Sequence, residues 1–434
     1  GADGLDFYES LEGMLVRVNS AVAVGPSITR RDSKDVVVIG DGGAGAGLRT
    51  ARGGIIIRPG DFNPERITLV GDASQIPDVN VGDRFDGPVT GVLDYSFGNF
   101  RVLLTGAAGV SARGIRPETA PAPGRDQLAV AAFNVQNLDP GDDDAKFSRL
   151  AGIVVHNLRS PDLISVEEIQ DNNGSVNDAE VDATQTFRKL VAAIRAAGGP
   201  AYDFRDIPPV DDQDGGEPGG NIRVGFLFRT DRGLRFVARP GGGPTVATRV
   251  VGATGNPRLS SSPGRLDPAN PAFAESRKPL AGEFTFRGRR LFVIANHFAS
   301  KGGDNPLFGR FQPPERATEP KRIQQAQVVA AFVRQILARD RRARVIALGD
   351  LNDFEFSAPL AALKGAGLTA LIERLPRNER YTYVFEGNSQ TLDHILVSRG
   401  LLGALASFDV VHINSEFFDQ ASDHDPTVAV FTFR

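Results

Sequence analysis

Polar residues that suit phosphate chemistry concentrate in two short strings of the C-terminal third, GDLND at 349–353 and SDHDP at 422–426. Each string adjoins a predicted buried strand, residues 344–348 before the first and 427–433 after the second. Strand ends on a rigid sheet hold catalytic groups well. Asp350 and Asn352, with Asp423 and His424, supply carboxylates for a cation, an imidazole for proton transfer and an amide for a phosphate oxygen. This combination predicts metal-assisted hydrolysis of a phosphoester.

Four further motifs accompany these strings in order along the chain: FNVQN at 133–137, VEEI at 166–169, NHF at 296–298 and LDHI at 392–395. Each motif alone recurs by chance in many loops, whereas six in order over about 300 residues make a strong signal. The chain resembles the endonuclease/exonuclease/phosphatase superfamily, which contains pancreatic-type deoxyribonuclease and exonuclease III. The resemblance implies a hydrolase that acts on phosphoester bonds.

The same resemblance places a metal ion on Glu168, with Asp423 and Asn134 in or near its shell. Glu167 should face the opposite side of its strand, because side chains alternate along a strand. Four carboxylates, at 168, 350, 393 and 423, could not all stay ionised in one pocket without a cation. The chain has no cysteine, and hard oxygen ligands suit magnesium, manganese or calcium better than zinc or copper. We predict a divalent metal cofactor, Mg²⁺ ahead of Mn²⁺ and Ca²⁺.

Five residues are the predicted catalytic set. By resemblance, Asp393 orients His424 through a hydrogen bond, and His424 acts as general base or stabilises the transition state. Such a role contributes about 10²–10⁴-fold in typical enzymes. His297 matches the second active-site histidine of deoxyribonuclease-like members and would protonate the leaving oxygen. Asp350 and Asn352 would position the attacking water and a non-bridging phosphate oxygen.

Four residues are predicted substrate contacts: Asn134, Asn296, Lys301 and Arg223. Lys301 closely follows His297, and lysine is rare here, since it supplies only 7 of the 49 basic residues. Arg223 lies near the start of a predicted strand, and a surface ion pair is its alternative role. The other histidines, at 156 in a helix and at 394 and 412 in strands, are predicted to be structural.

At 434 residues the chain is too long for one ordinary core, and we predict two domains. Residues 1–116 show short glycine-punctuated strands and no convincing amphipathic helix, which predicts a small all-β barrel of the oligonucleotide-binding (OB) type or a sandwich. These strands are predicted at 14–18, 35–39, 54–58, 66–70, 89–93 and 100–104. Proline and alanine enrich residues 117–124, which we predict to be the linker. Residues 125–434 would form the catalytic domain.

Helical and strand patterns alternate in this second domain. Helices are predicted at 147–158, 185–197 and 320–339, and strands at 128–135, 163–166, 222–228, 284–286, 291–295, 345–348, 394–397 and 410–413. Many strands with few helices predict an α/β (α+β) fold of two packed sheets flanked by helices, the αββα arrangement of deoxyribonuclease-like proteins. Segments 206–220 and 239–271 lack periodicity. The resemblance implies that both lie near the rim of the active site.

The fold alone does not identify the substrate. Phosphatases of inositol lipids carry a tryptophan-containing motif before the residue matching Asp393, whereas this chain has no tryptophan. No aromatic hairpin of the sphingomyelinase kind is visible. Residues 7–16 resemble the module that precedes the catalytic domain in large bacterial extracellular nucleases. The sequence therefore favours a secreted, non-specific nuclease that hydrolyses DNA, or RNA, by water attack on the phosphodiester.

Two alternatives stay open, a broad-specificity phosphatase or phosphodiesterase for small esters and a non-catalytic nucleic-acid-binding module. Tyr95, Phe97 and Phe100 are candidate base-stacking residues, with core packing as their alternative role. A net charge of -4 argues against coating nucleic acid by bulk electrostatics. We predict nucleic acid as the partner, with neither a membrane nor a protein partner. The module resemblance implies an extracellular, cell-surface or periplasmic location in a bacterium, with the signal peptide outside this sequence.

Overall fold

The computed structural model describes residues 2–433, so Gly1 and Arg434, the ends of the two predicted domains, lie outside the described residues. The chain begins with a short helix, Ala2–Glu9, which the sequence analysis did not predict. Two helical turns are too short to show a clear apolar period. Leu5 and Tyr8, three positions apart and therefore on one helix face, pack against the apolar core of the N-terminal region.

Nine strands form the sheet of the N-terminal region, which we call the module sheet. Two of its six-residue strands, Lys34–Ile39 and Arg66–Gly71, pair antiparallel in its centre. Among the described residues, the pairings run from one edge strand, Leu15–Val18, to another, Val110–Ser111, and no pairing joins these edges. A strand-rich N-terminal region is confirmed, and its closure into an OB-type barrel stays a prediction. The strands are Leu15–Val18, Val22–Ala23, Ile28–Thr29, Lys34–Ile39, Arg66–Gly71, Arg84–Phe85, Val89–Ser96, Asn99–Leu104 and Val110–Ser111.

Two further sheets, of six and seven strands, pack face to face in the rest of the chain. Leu128 and Phe226 of the first sheet share a core with Phe284 and Val293 of the second. The first sheet has the spatial order Asp203–Arg205, Arg223–Phe228, Leu163–Ile169, Gln127–Leu138, Thr427–Thr432 and Leu405–Val410. The second has the order Leu234–Phe236, Leu280–Phe286, Arg289–His297, Arg344–Asp350, Asp393–Ser398 and Leu368–Ala370, with Gly264–Arg265 beside Leu280–Phe286.

Helices cover the outer faces of both sheets. Asp144–Gly152, which continues as a π-helical turn to Asn157, and Thr184–Ala196 bury Phe147 and Phe187 against the first sheet. The long helix Glu319–Arg339 buries Val329 and Val333 against the second sheet. This mixed α/β architecture agrees with the predicted two-sheet arrangement. The remaining helical elements are Asp41–Gly43, Pro271–Phe273, Ala358–Lys364, Leu371–Arg374, Arg377–Glu379 and Arg399–Leu402.

Polar side chains of the two sheets lie at the same edge, because the carboxyl ends of neighbouring parallel strands lie side by side. In the first sheet the two central strands run parallel, and Asn134 lies opposite Glu167. In the second sheet another parallel pair sets His297 opposite Asp350. The next strand is antiparallel and begins with Asp393 opposite Asp350. The backbone register therefore gathers motif residues that lie far apart in sequence.

One predicted strand of the N-terminal region pairs outside the module sheet. Residues 54–58 contain the strand Ile55–Ile56, which runs parallel to Asn388–Gln390 of a hairpin at 383–390. We call this hairpin the bridging hairpin. Asn63 of the N-terminal region also donates from Nδ2 to Oδ1 of Asn388 at 2.7 Å, and both side chains are buried. The two predicted domains therefore share a small three-stranded sheet.

The predicted strand at 410–413 is wrong, because the edge strand is Leu405–Val410. Beyond it the carboxylate of Asp425 accepts hydrogen bonds from the N–H groups of Ile413, Asn414 and Ser415, and takes the place of a neighbouring strand. The predicted linker at 117–124 lies against the second domain, where the N–H of residue 118 donates to the carbonyl of residue 412 at 3.1 Å.

The two long aperiodic segments differ in structure. Segment 239–271 contains a small two-stranded sheet, Val250–Val251 with Arg258–Leu259, whereas 206–220 is formed of turns. Among residues 2–433, no helix is long and apolar enough to cross a membrane.

Candidate active site

Three side chains that could bind a metal converge where the two sheets meet. Nε2 of His297 lies 3.7 Å from Oε1 of Glu168 and 3.6 Å from Oδ2 of Asp350. Asn134 links the two carboxylates, since its Nδ2 donates to Glu168 at 3.0 Å and to Asp350 at 3.3 Å. The ligand atoms of Glu168, His297 and Asp350 all lie within 4.8 Å of one another, so one ion could contact all three.

Glu168 reaches this cluster through a break in strand register. The pairing of its strand shifts between Val166 and Ile169, and Glu168 has a φ of 63°, a conformation uncommon outside glycine. A bulge of this kind redirects a side chain. The N–H of Asn137 donates to Glu168 Oε2 at 3.0 Å and holds the carboxylate. Such backbone strain costs about 1–3 kcal/mol and is common at functional sites.

His424 and Asp393 form a hydrogen-bonded pair beside the cluster. Nδ1 of His424 lies 2.8 Å from Oδ2 of Asp393, and its Nε2 lies 3.9 Å from Oδ2 of Asp350. The Tyr383 ring packs on this imidazole, with centroids 4.7 Å apart. Burial opposes the charged imidazole, but Asp393, Asp350 and Asp423 outweigh it and raise the pKa of His424 well above its ordinary value. The pair thus holds a basic nitrogen at the cluster.

A cavity of about 500 Å³ opens over both groups, and its walls include Asn352, Lys301 and Asp423. Nδ2 of Asn352 donates to Asp350 Oδ2 and to a backbone carbonyl, each at 3.2 Å. Nζ of Lys301 has no hydrogen-bond partner among the described residues and lies 4.6 Å from the centre of the Phe354 ring. Burial lowers the pKa of Lys301 to about 7. All five predicted catalytic residues and the three predicted metal-shell residues therefore lie in or beside one cavity.

The model of the Endonuclease/Exonuclease/phosphatase family matches residues 131–424, a span that holds every side chain described above. The chain belongs to this family. Enzymes of the Endonuclease/Exonuclease/phosphatase family hydrolyse phosphoester bonds with a divalent metal, so the predicted hydrolase class and the metal dependence hold at the level of the family. Residues 1–113 match a domain of unknown function, DUF8508.

Solved structures of other family proteins resemble the chain only distantly. A humanized TDP2 from D. rerio is 19% identical with a TM-score of 0.43, and covers 71% of this chain and 100% of its own. A truncated TDP2 from Caenorhabditis elegans has 17% identity, a TM-score of 0.43 and coverages of 71% and 98%. A family protein from Leptotrichia buccalis has 13% identity, a TM-score of 0.45 and coverages of 70% and 100%. No curated protein matches the chain significantly.

The donor set of this family site suits a hard divalent cation. Burial raises the pKa of Asp350 to about 7; His424 lowers this pKa, whereas Asp393 and Glu168 raise it further. Burial also raises the pKa of Glu167 well above its ordinary value, and Asp393 and Asp350 add to this rise. Crowded carboxylates that resist ionisation are stabilised by a bound cation. The residues present therefore fit the divalent metal that the family requires.

Arg223 and Asn296, both predicted substrate contacts, are placed elsewhere. Arg223 is fully buried, and its guanidinium donates to the carbonyl oxygens of Val181 at 2.6 Å and Asn221 at 3.0 Å. The sequence analysis expected a phosphate contact or a surface ion pair for Arg223, but these two carbonyl groups, which precede the strand in sequence, cover its guanidinium. Asn296 is buried too, and its Nδ2 donates to the carbonyls of residues 294 and 348 at 2.8 and 3.0 Å. Neither side chain lines the active-site cavity, and both donate to backbone carbonyls, so their predicted contact with substrate has no support among the described residues.

Two residues beside the site were not predicted. Arg277 is buried, and its Nη2 donates to the carbonyl of Phe298 at 2.7 Å. Burial lowers the pKa of Arg277, and the carboxylates of Glu168 and Asp350 counteract this. Its position just before a strand, followed by Pro279, is a weak signal. Tyr383 packs on the imidazole of His424, and no local motif indicates that contact.

The three remaining histidines lie outside the cavity walls. His394 is buried with Nε2 2.9 Å from the carbonyl of Asp353, in agreement with its predicted packing role. His156 is exposed on the π-helical turn. His412 lies beyond the end of the edge strand, where its ring stacks on Tyr381 and its Nδ1 lies 3.1 Å from Asp425. Nor does any residue of 206–220 or 239–271 line this cavity, so their predicted place at its rim has no support within the described chain.

Proposed function

We propose that this chain hydrolyses phosphodiester bonds of nucleic acid, DNA first and RNA second, with Mg²⁺ or Mn²⁺. One observation carries the proposal: Nε2 of His297 and Nε2 of His424 lie 3.6 and 3.9 Å from the same oxygen, Oδ2 of Asp350. A phosphate seated over this oxygen is within reach of two imidazoles. One can accept the proton of the attacking water while the other contacts the leaving oxygen.

His424 suits the role of proton acceptor. When its imidazole is neutral, the bond to Asp393 holds the remaining proton on Nδ1, so Nε2 is the free base facing the site. Asp393 is a positioning residue, because it acts through the imidazole. The neighbouring carboxylates raise the pKa of His424. Neutralisation of those carboxylates would lower this pKa towards a value useful for catalysis.

His297 suits hydrogen-bond donation to the leaving oxygen in its neutral form. Burial, followed by the charges of Arg277 and His424, lowers the pKa of His297 well below its ordinary value. A neutral imidazole still has one N–H, and such a group can polarise an oxygen without transferring a full charge. This differs from the prediction that His297 protonates the leaving oxygen, and the difference arises because the histidine is buried and lies near the charge of Arg277.

Glu168 would hold the metal, with Asp423 and Asn134 beside it. When bound there, a divalent cation would offset the negative charge that develops on the phosphate oxygens. Asn134 keeps the two carboxylates apart through its bonds to Glu168 and Asp350. Lys301, whose ammonium has no hydrogen-bond partner among the described residues, is the side chain best placed to contact a non-bridging oxygen.

A panel of substrates tests this proposal. Purified full-length protein would be assayed on plasmid DNA, RNA, a chromogenic phosphodiester and a chromogenic phosphomonoester with Mg²⁺, Mn²⁺ or Ca²⁺. We expect hydrolysis of DNA and of the diester, and loss of both in His424→Ala. His156→Ala, an exposed histidine on the surface, is the matched control. A preference for the monoester would support the alternative, a broad phosphatase for small esters, and would refute the nuclease.

The extracellular location stays a prediction from the resemblance of the module, and fractionation of cells carrying the native gene tests it. Membership of the family makes the chain a hydrolase, so a non-catalytic binding module is no longer needed as an alternative.

A further inference from the structure

A second cavity lies between the module sheet and the bridging hairpin. Its volume is about 430 Å³, within the range of about 300–1,000 Å³ that is common for ligand sites. Arg30, Phe97 and Arg101 of the N-terminal region line one side. Hairpin residues 383–387 line the other, together with Gln136 and Gln420. We call this cavity the module groove.

The module groove is continuous with the candidate active site. Tyr383, Phe385, Glu386 and Asp423 line both cavities. The bridging hairpin therefore forms the low wall between them, and Asp423 of the predicted metal shell faces both. A polymer whose phosphate occupies the active site would have its neighbouring nucleotides beside this wall. We propose that the module groove binds the single-stranded flank of the nucleic-acid substrate, with a base stacked on Phe97; this rests on the proposed function.

Phe97 is placed as a stacking platform. Its side chain is 87% exposed, the highest value among the large apolar side chains described as exposed. It occupies a two-residue turn, where Phe97 has a φ of 52° and Gly98 a φ of 74° between the paired Ser96 and Asn99. Positive φ at both positions marks a type I′ turn, which favours Asn-Gly and disfavours a bulky aromatic residue. Neither packing nor turn preference accounts for this ring.

The turn is held firmly although its ring is exposed. Gly98 lies so close to the active-site loop that a Cβ on it would be 2.4 Å from Cγ of Pro306. Pro306 itself lines the active-site cavity. The N–H of Arg310 donates to the hydroxyl of Tyr95, next to the turn, at 3.3 Å. A pre-positioned ring loses little conformational freedom when a base stacks on it.

The charges beside the ring suit a phosphate backbone. Arg30 and Arg101 both pair with one oxygen of Asp35, at 2.7 and 2.6 Å, so two cations share one anion. The guanidinium of Arg101 also lies 5.5 Å from the centre of the Phe97 ring. Elsewhere in the groove, Glu386 is matched by Arg66 at 3.6 Å. One positive charge of the Arg30, Asp35 and Arg101 group therefore remains unmatched next to the exposed aromatic face, whereas the carboxylate of Asp423 lines the part of the groove shared with the active site.

An exposed aromatic ring next to an arginine favours the binding of single-stranded over double-stranded nucleic acid. A duplex hides the faces of its bases in the stack, whereas a single strand presents them, and aromatic platforms beside basic residues are the general solution for binding it. Sequence would matter little, because every base has a face to stack.

The test compares two exposed phenylalanines of the N-terminal region. Phe97→Asn creates the Asn-Gly pair that the turn prefers, so it removes the ring without weakening the turn. Phe7→Ala removes a ring that is 58% exposed and does not line the groove. Binding of a labelled single-stranded oligodeoxynucleotide would be measured by anisotropy in the full chain carrying His424→Ala, which keeps the ligand intact. We expect Phe97→Asn to weaken binding about tenfold, and Phe7→Ala to leave it unchanged.

Two further measurements separate the possible outcomes. Arg30→Gln should reduce the slope of log K against log salt by about 0.7, as expected for one lost phosphate contact on a single strand. With His424 intact, the loss of kcat/KM in Phe97→Asn should be about tenfold greater on the oligonucleotide than on a chromogenic diester. Equal affinities for Phe97→Asn and Phe7→Ala would overturn the groove proposal. So would an altered oligomeric state of Phe97→Asn with unchanged affinity, which would assign the ring to a second copy.

Failure of the proposed function would look different. If the wild-type chain hydrolysed no ester with any metal, the nuclease would be refuted, yet the anisotropy measurement would still decide whether the module groove binds single strands.

Discussion

Replacement of Asp393 by asparagine tests whether His424 and Asp393 act as one unit. Among the described residues, the only hydrogen bond of the Asp393 side chain is its 2.8 Å bond to Nδ1 of His424, and its other oxygen has no hydrogen-bond partner. Loss of a general base costs about 10²–10⁴-fold in rate, which is about 3–5 kcal/mol of transition-state stabilisation. Because Asp393 acts through the imidazole, Asp393→Asn should lose most of what His424→Ala loses.

The double variant gives the decisive comparison. If each single variant loses about 10³-fold, independent effects would multiply to about 10⁶-fold. A single unit predicts instead that Asp393→Asn with His424→Ala is scarcely slower than His424→Ala alone. Steady-state rates on the chromogenic diester, at saturating Mg²⁺, measure this difference. Multiplying losses would refute the assignment of Asp393 as a positioning residue.

Protein stability provides the control for this experiment. Asp393 raises the pKa of both Glu167 and Asp350, so its negative charge disfavours their ionisation. Removal of that charge relieves this repulsion but also removes the carboxylate that raises the pKa of His424, so the two effects on stability oppose each other, and we expect the metal-free Asp393→Asn variant to keep a cooperative melt near that of the wild type. A large fall in Tm would mean that the rate loss reports unfolding instead of catalysis.

Three further predictions follow from other parts of the structure. Chelation and dialysis should abolish hydrolysis and Mg²⁺ or Mn²⁺ should restore it, and calorimetric titration should show weaker metal binding in Glu168→Gln than in His424→Ala; the reverse order would remove Glu168 from the shell. Gly349→Ala should cost about 3 kcal/mol or more of unfolding free energy, because Gly349 has a φ of 118° and a Cβ there would lie 2.1 Å from a backbone oxygen. Gly45→Ala, in open space, should cost little, and equal denaturant midpoints would contradict this reasoning. Burial lowers the pKa of His412, but the carboxylates of Asp425 and Glu379, which face its ring nitrogens, outweigh burial and raise this pKa to about 10. His412 therefore contributes stability that is complete below its unfolded pKa of about 6.5 and lost as pH rises towards 10. The stability gap between wild type and His412→Gln should therefore narrow across that range in urea titrations, and a constant gap would refute the role of this charge.

The sequence predicted the long elements of the catalytic region well, because they show strong periodicity. The helix expected at 320–339 is Glu319–Arg339, and the strand expected at 345–348 is Arg344–Asp350. The motif residues lie at the ends of neighbouring strands, and for this reason His297, Asp350 and Asp393 lie close together. The roles of these residues stay predictions until they are measured.

The failures share a physical cause, since each depends on a contact distant in sequence. Arg223 was expected to face solvent, but the carbonyl of Val181 closes over it. The strand at 410–413 was displaced because the side chain of Asp425 binds the backbone that a neighbouring strand would have paired. Glu168 enters the cavity through a bulge, so the expectation that Glu167 faces the opposite side of the strand is wrong. Glu167 also points toward the second sheet, where a Cβ on Gly349 would lie 2.8 Å from its Oε1 and where burial, together with Asp393 and Asp350, raises its pKa. Local patterns carry no information on such contacts.

The three-stranded sheet of the bridging hairpin and Ile55–Ile56 bears on how this chain could have been assembled. The predicted linker at 117–124 looks like a suitable point for the exchange of one domain by recombination, because few polar motifs lie near it. Yet exchange of the first segment for an unrelated one would leave one edge of the strand Asn388–Gln390 unpaired and would remove the hydrogen bond between Asn63 and Asn388. It would also remove Ile57, which packs on Phe354 and Leu392. The two segments are therefore expected to be inherited together, and substitutions at 55–63 should be matched by substitutions at 388–392 among homologous chains.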